Sequence, residues 1–288
     1  MNVLVAVLSV ISFIVSCGSA GYNSTYQMIT ENITVESEAM PVLNPETERS
    51  HALTADFSGI DNKGSGWGFV KKKGTEPEIY KSTAEMFKTY STYYLDPKRT
   101  KTIYLTFDEG YENGYTAKIL DVLKEEKVPA AFFITGPYLE KETALVDRMV
   151  KEGHVVGNHT VNHPNLPKLQ DPQKIADELG SLNSVFFEKY GKNMEYMRPP
   201  EGEYSRRVLA VAQNIGYKTI LWSFAYKDWD TSSQKGKEYA FSQVTPYLHD
   251  GAIILLHAVS KDNTEALGDI IKYAKEQGYR FGSLDELE

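Results

Sequence analysis

Cysteine, basic charge and long apolar runs are all scarce in this 288-residue sequence, and each scarcity narrows what the protein can be. Cys17 is the only cysteine, so no disulfide can form within the chain and stability has to come from a hydrophobic core. Lys and Arg number 31 against 39 Asp and Glu, which leaves a formal net charge of -8. Because nucleic acids are bound through clustered Lys and Arg, we expect no nucleic-acid partner. No second helix-length apolar run follows the first, which excludes a polytopic membrane protein.

The N-terminus carries the one long apolar run, Val3 to Val15, which is short for a bilayer span. It fits the apolar region of a secretory signal, so residues 1–20 are predicted to direct export to the bacterial cell envelope. The end of this signal has two interpretations. A lipobox-like segment predicts a lipid anchor at Cys17 and a membrane-anchored lipoprotein, whereas small residues just beyond it predict cleavage after Ala20 and a secreted protein.

Changes in amino-acid composition divide the rest of the chain into three segments. Residues 21–66 are rich in Thr, Glu, Ser and Asn with little apolar periodicity, which predicts a flexible linker. Residues 67–100 are rich in aromatics and include an amphipathic stretch, so we expect an N-terminal helical extension packed on the next domain. Residues 101–288 form that domain.

Strand-like apolar segments alternate with amphipathic helical segments from Lys101 onward. Ile103–Phe107 is followed by Thr116–Lys127, and the pattern then repeats. This alternation predicts an α/β fold in which helices cover a parallel sheet. About seven units are present, enough to curl into a barrel, but periodicity alone leaves the closure of the barrel open.

Polar residues follow several predicted strands. Asp108 and Glu109 end the first strand, which favours a catalytic or cation-binding role, although a solvated acidic turn is the commoner fate of such a pair. His159 and His163 follow a later strand at i and i+4, a spacing that would place both imidazoles on one side of a helical turn and within reach of one ion. His257 ends a continuous apolar strand, a position that is more often structural.

Two further segments combine backbone constraint with polar side chains. In the first, a double proline separates Arg198 from Glu201 and Gly202, which would aim backbone N–H groups into a cleft or simply form a turn. In the second, Asp228 and Trp229 lie within an aromatic cluster, where core packing is the alternative.

These segments, in this order, resemble the motifs of the polysaccharide deacetylase family, the NodB-homology or carbohydrate esterase 4 group. The resemblance covers Lys101 to the C-terminus and rests on Thr106-Phe107-Asp108-Glu109-Gly110, His159-Thr160-Val161-Asn162-His163, Arg198-Pro199-Pro200-Glu201-Gly202, Asp228-Trp229 and Leu255-Leu256-His257. It implies a distorted (β/α) barrel of about seven strands. The first and fourth motifs, together with Trp67-Gly68-Phe69, are similar to the branch that deacetylates N-acetylmuramic acid on the way to muramic δ-lactam in spore cortex.

The resemblance also implies a role for each motif residue. One divalent metal ion, zinc in the first place with Co²⁺ or Mn²⁺ as alternatives, would be held by Glu109, His159 and His163. Asp108 would be the general base, braced by Arg198, and His257 the general acid, with Asp228 in the fourth motif. Substrate and oxyanion contacts would come from Glu201, Gly202 and Trp229. The chain departs from the family pattern in two places: Glu109 replaces an aspartate, and Ala225 replaces the aspartate that tunes the acid histidine.

The expected substrate is therefore a peptidoglycan glycan strand, and the expected enzyme is a monomeric metal-dependent N-deacetylase. One alternative keeps the chemistry but acts on N-acetylglucosamine of peptidoglycan or on chitooligosaccharides. Another is a non-catalytic glycan-binding protein, which would not require the acid–base residues Asp108 and His257. A serine esterase would require a Gly-x-Ser-x-Gly elbow, which this sequence lacks.

Overall fold

A parallel sheet forms the centre of the fold in the computed structural model, which describes residues 46–287. The predicted signal at residues 1–20, with Cys17, and residues 21–45 of the predicted linker lie outside the described residues. The strands are β1 (Ser65–Gly66), β2 (Val70–Lys72), β3 (Thr75–Glu78), β4 (Thr92–Tyr93), β5 (Thr102–Glu109), β6 (Ala130–Ile134), β7 (Val155–Asn158), β8 (Tyr196–Met197), β9 (Glu203–Tyr204), β10 (Lys218–Ile220), β11 (Ile253–His257) and β12 (Arg280–Phe281). The helices are α1 (Lys81–Thr89), α2 (Thr116–Glu126), α3 (Gly136–Lys141), α4 (Thr143–Lys151), α5 (Pro172–Tyr190), α6 (Arg206–Asn214), α7 (Lys237–Val244) and α8 (Lys261–Glu276).

The sheet runs in the order β11-β5-β6-β7-β8-β10-β4, with β12 also paired to β5, and every pairing within it is parallel. Its strands are buried on both faces, as β5 illustrates, because helices cover a parallel sheet on its outside. The α/β prediction is confirmed. Within the described residues, no helix combines the length and apolar character that a bilayer crossing requires.

The sheet curls until its two ends meet. Beyond β10, Phe224 forms an isolated parallel bridge with Ile254 of β11, supported by a hydrogen bond of 2.9 Å from Leu255 N to Phe224 O. The distorted barrel is therefore closed by a bridge and not by a full strand. This seam brings the segment after β10 beside the end of β11.

Close packing inside the curl depends on one glycine. A Cβ atom at Gly157 of β7 would lie 2.5 Å from the ring of Phe133 on the neighbouring strand β6. Real Cβ atoms do not approach that closely, so only glycine lets β6 and β7 pair at this point. The two strands then end side by side, just before His159.

The N-terminal extension contributes directly to the sheet and to the walls around its end. β4 is the last strand of the sheet order, paired with β10. Trp67 donates from Nε1 to the carbonyl of Trp222 at 2.8 Å, and Lys71 donates from Nζ to the carbonyl of Ala225 at 3.2 Å. The extension thus braces the segment that forms the seam.

The described part of the predicted linker, residues 46–66, is docked on the domain. Arg49 donates from Nη1 to Met194 O at 2.8 Å, pairs with Glu195 at 2.6 Å and lies over the ring of Tyr217 at 5.1 Å. These partners lie far along the chain, so local composition gave no sign of them. Residues 46–66 therefore contact the domain through specific side-chain interactions.

We predict that Arg49→Ala lowers the free energy of unfolding by about 1–2 kcal/mol, because it removes a charged hydrogen bond to a carbonyl and the stacking on Tyr217. Arg280→Ala is the matched control, since its pair with Glu286 is half exposed and should contribute about 0.5 kcal/mol or less. Denaturant unfolding of the two variants measures the difference. Equal effects would show that residues 46–66 do not stabilise the domain.

Candidate active site

One cavity of about 920 Å³ opens at the carboxyl ends of the strands. Most of the residues predicted for the site line it together: Asp108, His159, His163, Glu201, Gly202, Trp229 and His257. The other three, Glu109, Arg198 and Asp228, are buried and do not line it. Strand ends from distant parts of the chain therefore converge here, as expected for a parallel sheet.

Asp108 is fixed by a buried ion pair. Arg198 has 0% exposed surface and donates from Nη1 to Asp108 Oδ1 at 2.7 Å. Its other nitrogens donate to Thr106 Oγ1 at 2.8 Å and to the carbonyl of Ile220 at 3.0 Å. One guanidinium thus ties β5 to β10 and holds the carboxylate in a single orientation.

The pKa of the Asp108 carboxyl is held below its usual value despite burial. Burial on its own raises this pKa, but the positive charge of Arg198, with smaller contributions from His159 and His257, outweighs it. Asp108 is therefore ionised at neutral pH. Its second oxygen, Oδ2, lies 3.7 Å from Nε2 of His159 and remains available as a proton acceptor.

His257 lies directly beside Asp108, because the two residues are register partners on β11 and β5. Its Nδ1 is 2.7 Å from Oδ1 of Asp228, whose Oδ2 accepts the backbone N–H of His257 at 2.9 Å. Burial lowers the pKa of His257, but the hydrogen bond and charge of Asp228 outweigh it and raise the pKa above 6.5. Asp228 thus takes the place of the partner that Ala225 cannot provide.

The two other cavity histidines lie on a loop and not on a helical turn. Thr160 and His163 have left-handed backbone angles, with φ of 70° and 55°, so the helical turn predicted from the i, i+4 spacing is wrong. The two rings still meet edge to face, with centroids 4.8 Å apart. Nδ1 of His159 contacts the carbonyl of Arg198 at 2.8 Å, which directs Nε2 towards the cavity.

Glu109 is separated from these histidines. Neighbouring side chains of a strand point to opposite faces, so Glu109 of β5 turns away from the side that Asp108 occupies. It is 0% exposed, Thr116 donates to its Oε1 at 3.4 Å, and its Oε2 has no hydrogen-bond partner among residues 46–287. Burial, and then the charge of Glu112, raise its pKa well above the usual value.

The chain between Arg198 and Gly202 forms a strained turn at the cavity. Glu201 has φ 58° and ψ 7°, a conformation that non-glycine residues adopt at a cost. The N–H of Gly202 is taken by Pro199 O at 3.1 Å, which leaves the preceding N–H, that of Glu201, as the candidate oxyanion donor.

Comparisons with known proteins agree with this geometry. Residues 96–220 match the polysaccharide deacetylase family. A 30.6 kDa protein of Geobacillus stearothermophilus described as uncharacterised is 47% identical over 232 residues, which is 80% of this chain and 87% of that protein. The peptidoglycan-N-acetylmuramic acid deacetylase PdaA of Bacillus subtilis is 43% identical over 81% of this chain and 89% of its own length.

The chain belongs to the polysaccharide deacetylase family. A solved structure of Bacillus subtilis PdaA, a family 4 carbohydrate esterase, superposes with a TM-score of 0.76 at 44% identity, over 79% of this chain and 98% of that one. This match confirms the predicted fold class. The deacetylase is accordingly an N-deacetylase of the hydrolase class, in a family whose members are generally metal-dependent.

The metal ligands predicted for this deacetylase are only partly brought together. Within residues 46–287, no three His, Cys, Asp or Glu side chains form a ready-made metal cluster. The two histidines do fit a cation: they are adjacent, they face the cavity, and burial lowers the pKa of His159 to about 4, which keeps it neutral as ligation requires. Glu109 is not brought to them, because its side chain is fully buried and does not line the cavity.

Two residues that position the deacetylase site were not identified from sequence. Asn263, on α8, donates to Asp228 Oδ2 and accepts from Tyr226, so it fixes the partner of His257. Thr106 accepts from Arg198 and donates to Ile254 O at 2.7 Å, so it links the ion pair to β11. Thr106 belongs to the first motif and could have been found there, whereas nothing local marks Asn263.

Replacement of the carboxyl by an amide should have a small effect on stability at Glu109 and a large one at Asp108. Glu109→Gln replaces a buried acid, whose raised pKa disfavours the charged form, with a neutral isostere, so we expect the free energy of unfolding to change by less than about 1 kcal/mol and metal binding to be unchanged. Asp108→Asn leaves the buried Arg198 unpaired and should cost about 3 kcal/mol. Denaturant unfolding and calorimetric zinc titration measure both effects. Loss of zinc binding in Glu109→Gln would restore Glu109 as a ligand.

Proposed function

We propose that the protein removes the N-acetyl group from N-acetylmuramic acid residues of peptidoglycan. The observation that carries the chemistry is the register pair of Asp108 and His257, an ionised carboxylate and a histidine with raised pKa at one cavity wall. Groups of opposite protonation state side by side are what hydrolysis of an amide requires. The choice of sugar is supported by the similarity to PdaA of Bacillus subtilis.

Asp108 acts first, as the general base. It takes a proton from a water molecule, whose oxygen bonds to the carbonyl carbon of the acetamide. Arg198 keeps Asp108 ionised beforehand and holds Oδ1, so that Oδ2 receives the proton. The negative charge that develops on the carbonyl oxygen is stabilised by the N–H of Glu201.

His257 acts second, as the general acid. It delivers a proton to the amide nitrogen as the carbon–nitrogen bond breaks, which yields acetate and a free amine on the sugar. Asp228 keeps Nδ1 protonated, so the proton leaves from Nε2. Each of the two proton transfers typically contributes about 10²–10⁴-fold to the rate. Trp229, 52% exposed and 5.5 Å from the His257 ring, forms the adjacent wall against the sugar.

A divalent cation, zinc in the first place, would be held by His159 and His163. When bound, it would polarise the acetamide carbonyl and lower the pKa of water. The role of the chain here is orientation: the carbonyl of Arg198 fixes the tautomer of His159 by its contact with Nδ1. Arg198 thus orients the base with its side chain and a metal-binding imidazole with its backbone.

The product of deacetylation can react further within the same sugar. Deacetylation frees an amine at C2 of the sugar, beside the lactyl group on C3, and these two groups can close a six-membered lactam. We therefore place the enzyme in muramic δ-lactam formation during sporulation. The proposed location is the cell envelope, after export by residues 1–20, either anchored at Cys17 or secreted.

Acetate release tests this function. Residues 46–288, incubated with peptide-free muramic-acid-containing glycan strands, should release acetate, and a chelator should abolish the release until zinc is restored. Asp108→Asn should lose activity by at least about 10²-fold while it still binds zinc.

Three results would contradict the proposal. Release from chitooligosaccharides alone would assign the enzyme to glucosamine. Release that survives complete removal of metal would exclude the cation. Binding of strands without any release would make the protein a glycan-binding module.

Asp228 should control the alkaline limb of the activity profile. His257 has to be protonated to act as an acid, so activity falls as pH rises through its raised pKa. Asp228→Asn removes the charge that raises this pKa, and the alkaline limb should move to lower pH, with kcat reduced about 10–100-fold. The pH dependence of kcat measures it, with Asp269→Asn, a surface acid on α8, as the control. An unmoved alkaline limb would exclude His257 as the acid.

A further inference from the structure

Positively and negatively charged side chains are unevenly distributed along the cavity wall. Among the described residues that line the cavity, Lys227 is the only lysine or arginine. The carboxylates that line it are Asp108 and Glu201, and both disfavour an anionic ligand group near them. Apart from the histidines assigned to acid catalysis and to the cation, the ammonium of Lys227 is the positive group on this wall that an anionic substrate group can meet.

Arg198 cannot serve an anionic substrate group, although it is close to the site. It is completely buried, and its nitrogens are committed to Asp108, Thr106 and the carbonyls of Ile220 and Leu221. An anion could recruit this guanidinium only by breaking the pair that keeps Asp108 ionised. A cation that recognises an anionic substrate group must therefore be a residue other than Arg198, which serves Asp108.

Lys227 forms one ion pair and keeps N–H donors for a second ligand. Its Nζ lies 3.2 Å from Asp230 Oδ2, and Asp230 is itself held by Ser232, whose Oγ donates to Oδ1 at 2.6 Å. An ammonium has three N–H donors, so the contact with Asp230 leaves donors for a second carboxylate. The side chain of Lys227 is 67% exposed, which leaves it open to such a ligand.

The backbone that carries Lys227 is braced on both sides. The preceding Ala225 carbonyl accepts from Lys71, and the following Asp228 is bonded to His257 and Asn263. The position of residue 227 relative to the acid histidine is thus set before substrate arrives. Such preorganisation lowers the cost of binding.

The chemistry of muramic acid matches this arrangement. Its acetamide is on C2 and its lactyl ether is on the adjacent C3, so a carboxylate lies within a few bonds of the amide that is cleaved. A cation that recognises it has to lie on the wall of the same cavity, next to the catalytic groups. Lys227 precedes Asp228, the partner of the acid histidine, by one residue.

We propose that Lys227 binds the lactyl carboxylate of muramic acid and selects this sugar over glucosamine, an assignment that rests on the proposed function. Glucosamine residues carry a hydroxyl at C3 and offer no charge to the ammonium. Lys227 would therefore act in substrate binding, not in the chemical step.

The test compares two substrates and two lysines. On peptide-free muramic strands, Lys227→Ala should raise KM about tenfold, equivalent to about 1.4 kcal/mol, with little change in kcat. On chitooligosaccharides, any slow turnover should be unaffected. Lys227→Arg keeps the charge and should restore most of the affinity. Lys81→Ala, which removes an ammonium paired with Glu85 on α1, is the charge-matched control and should behave like the wild type.

A chemical variant of the substrate completes the comparison. Conversion of the lactyl carboxylate to its methyl amide should raise KM for the wild type by the same factor, and should have no further effect on Lys227→Ala. Equal losses on both sugars, additive losses with the amide, or an unchanged KM would each overturn the assignment of Lys227 alone. A wild type that releases no acetate from muramic strands would overturn the proposed function, and Lys227 recognition with it.

Discussion

The buried ion pair between Arg198 and Asp108 is the constraint on which the site depends. An unpaired guanidinium in the interior would cost several kcal/mol, so the sheet has to present Asp108, Thr106 and the carbonyl of Ile220 to it at once. These partners lie on β5 and β10, which are not neighbours in the sheet. The same Arg198 side chain therefore bridges the curled sheet and keeps the Asp108 carboxylate ionised.

The other residues of the site are positioned from that pair by hydrogen bonds, chain connectivity and strand register. The carbonyl of Arg198 orients His159, and the prolines after it lead to the strained Glu201. On the other side, register pairing with Asp108 places His257, whose imidazole is then held by Asp228. The proposed base, acid, oxyanion donor and metal-binding imidazole are thus all positioned from this one ion pair. The proposed substrate recognition at Lys227 is separate, since Lys227 lies on a loop that the ion pair does not contact.

The residues at the strand ends could be predicted from sequence, because the carboxyl ends of parallel strands lie at one edge of the sheet whatever connects them. Asp108, His159 and His257 were found in this way. The direction of a side chain could not be predicted in this way: Glu109 follows strand alternation to the opposite face, where Thr116 donates to it. Backbone angles could not be predicted either, since a spacing of i and i+4 does not reveal the left-handed Thr160. The docking of residues 46–66 depends on partners such as Glu195, far away in sequence.

The position of β4 at the end of the sheet has a consequence for the order of folding. Thr92 pairs with Thr219, so β4, though synthesised early, has no sheet partner until β10 has been made. Trp67 and Lys71, which brace the carbonyls of Trp222 and Ala225, have to wait for the same reason. Loop closure over this length is slow compared with local helix formation. The cavity is thus complete only once β10 and β11 have been made, and a nascent chain that lacks its C-terminal strands has no assembled site.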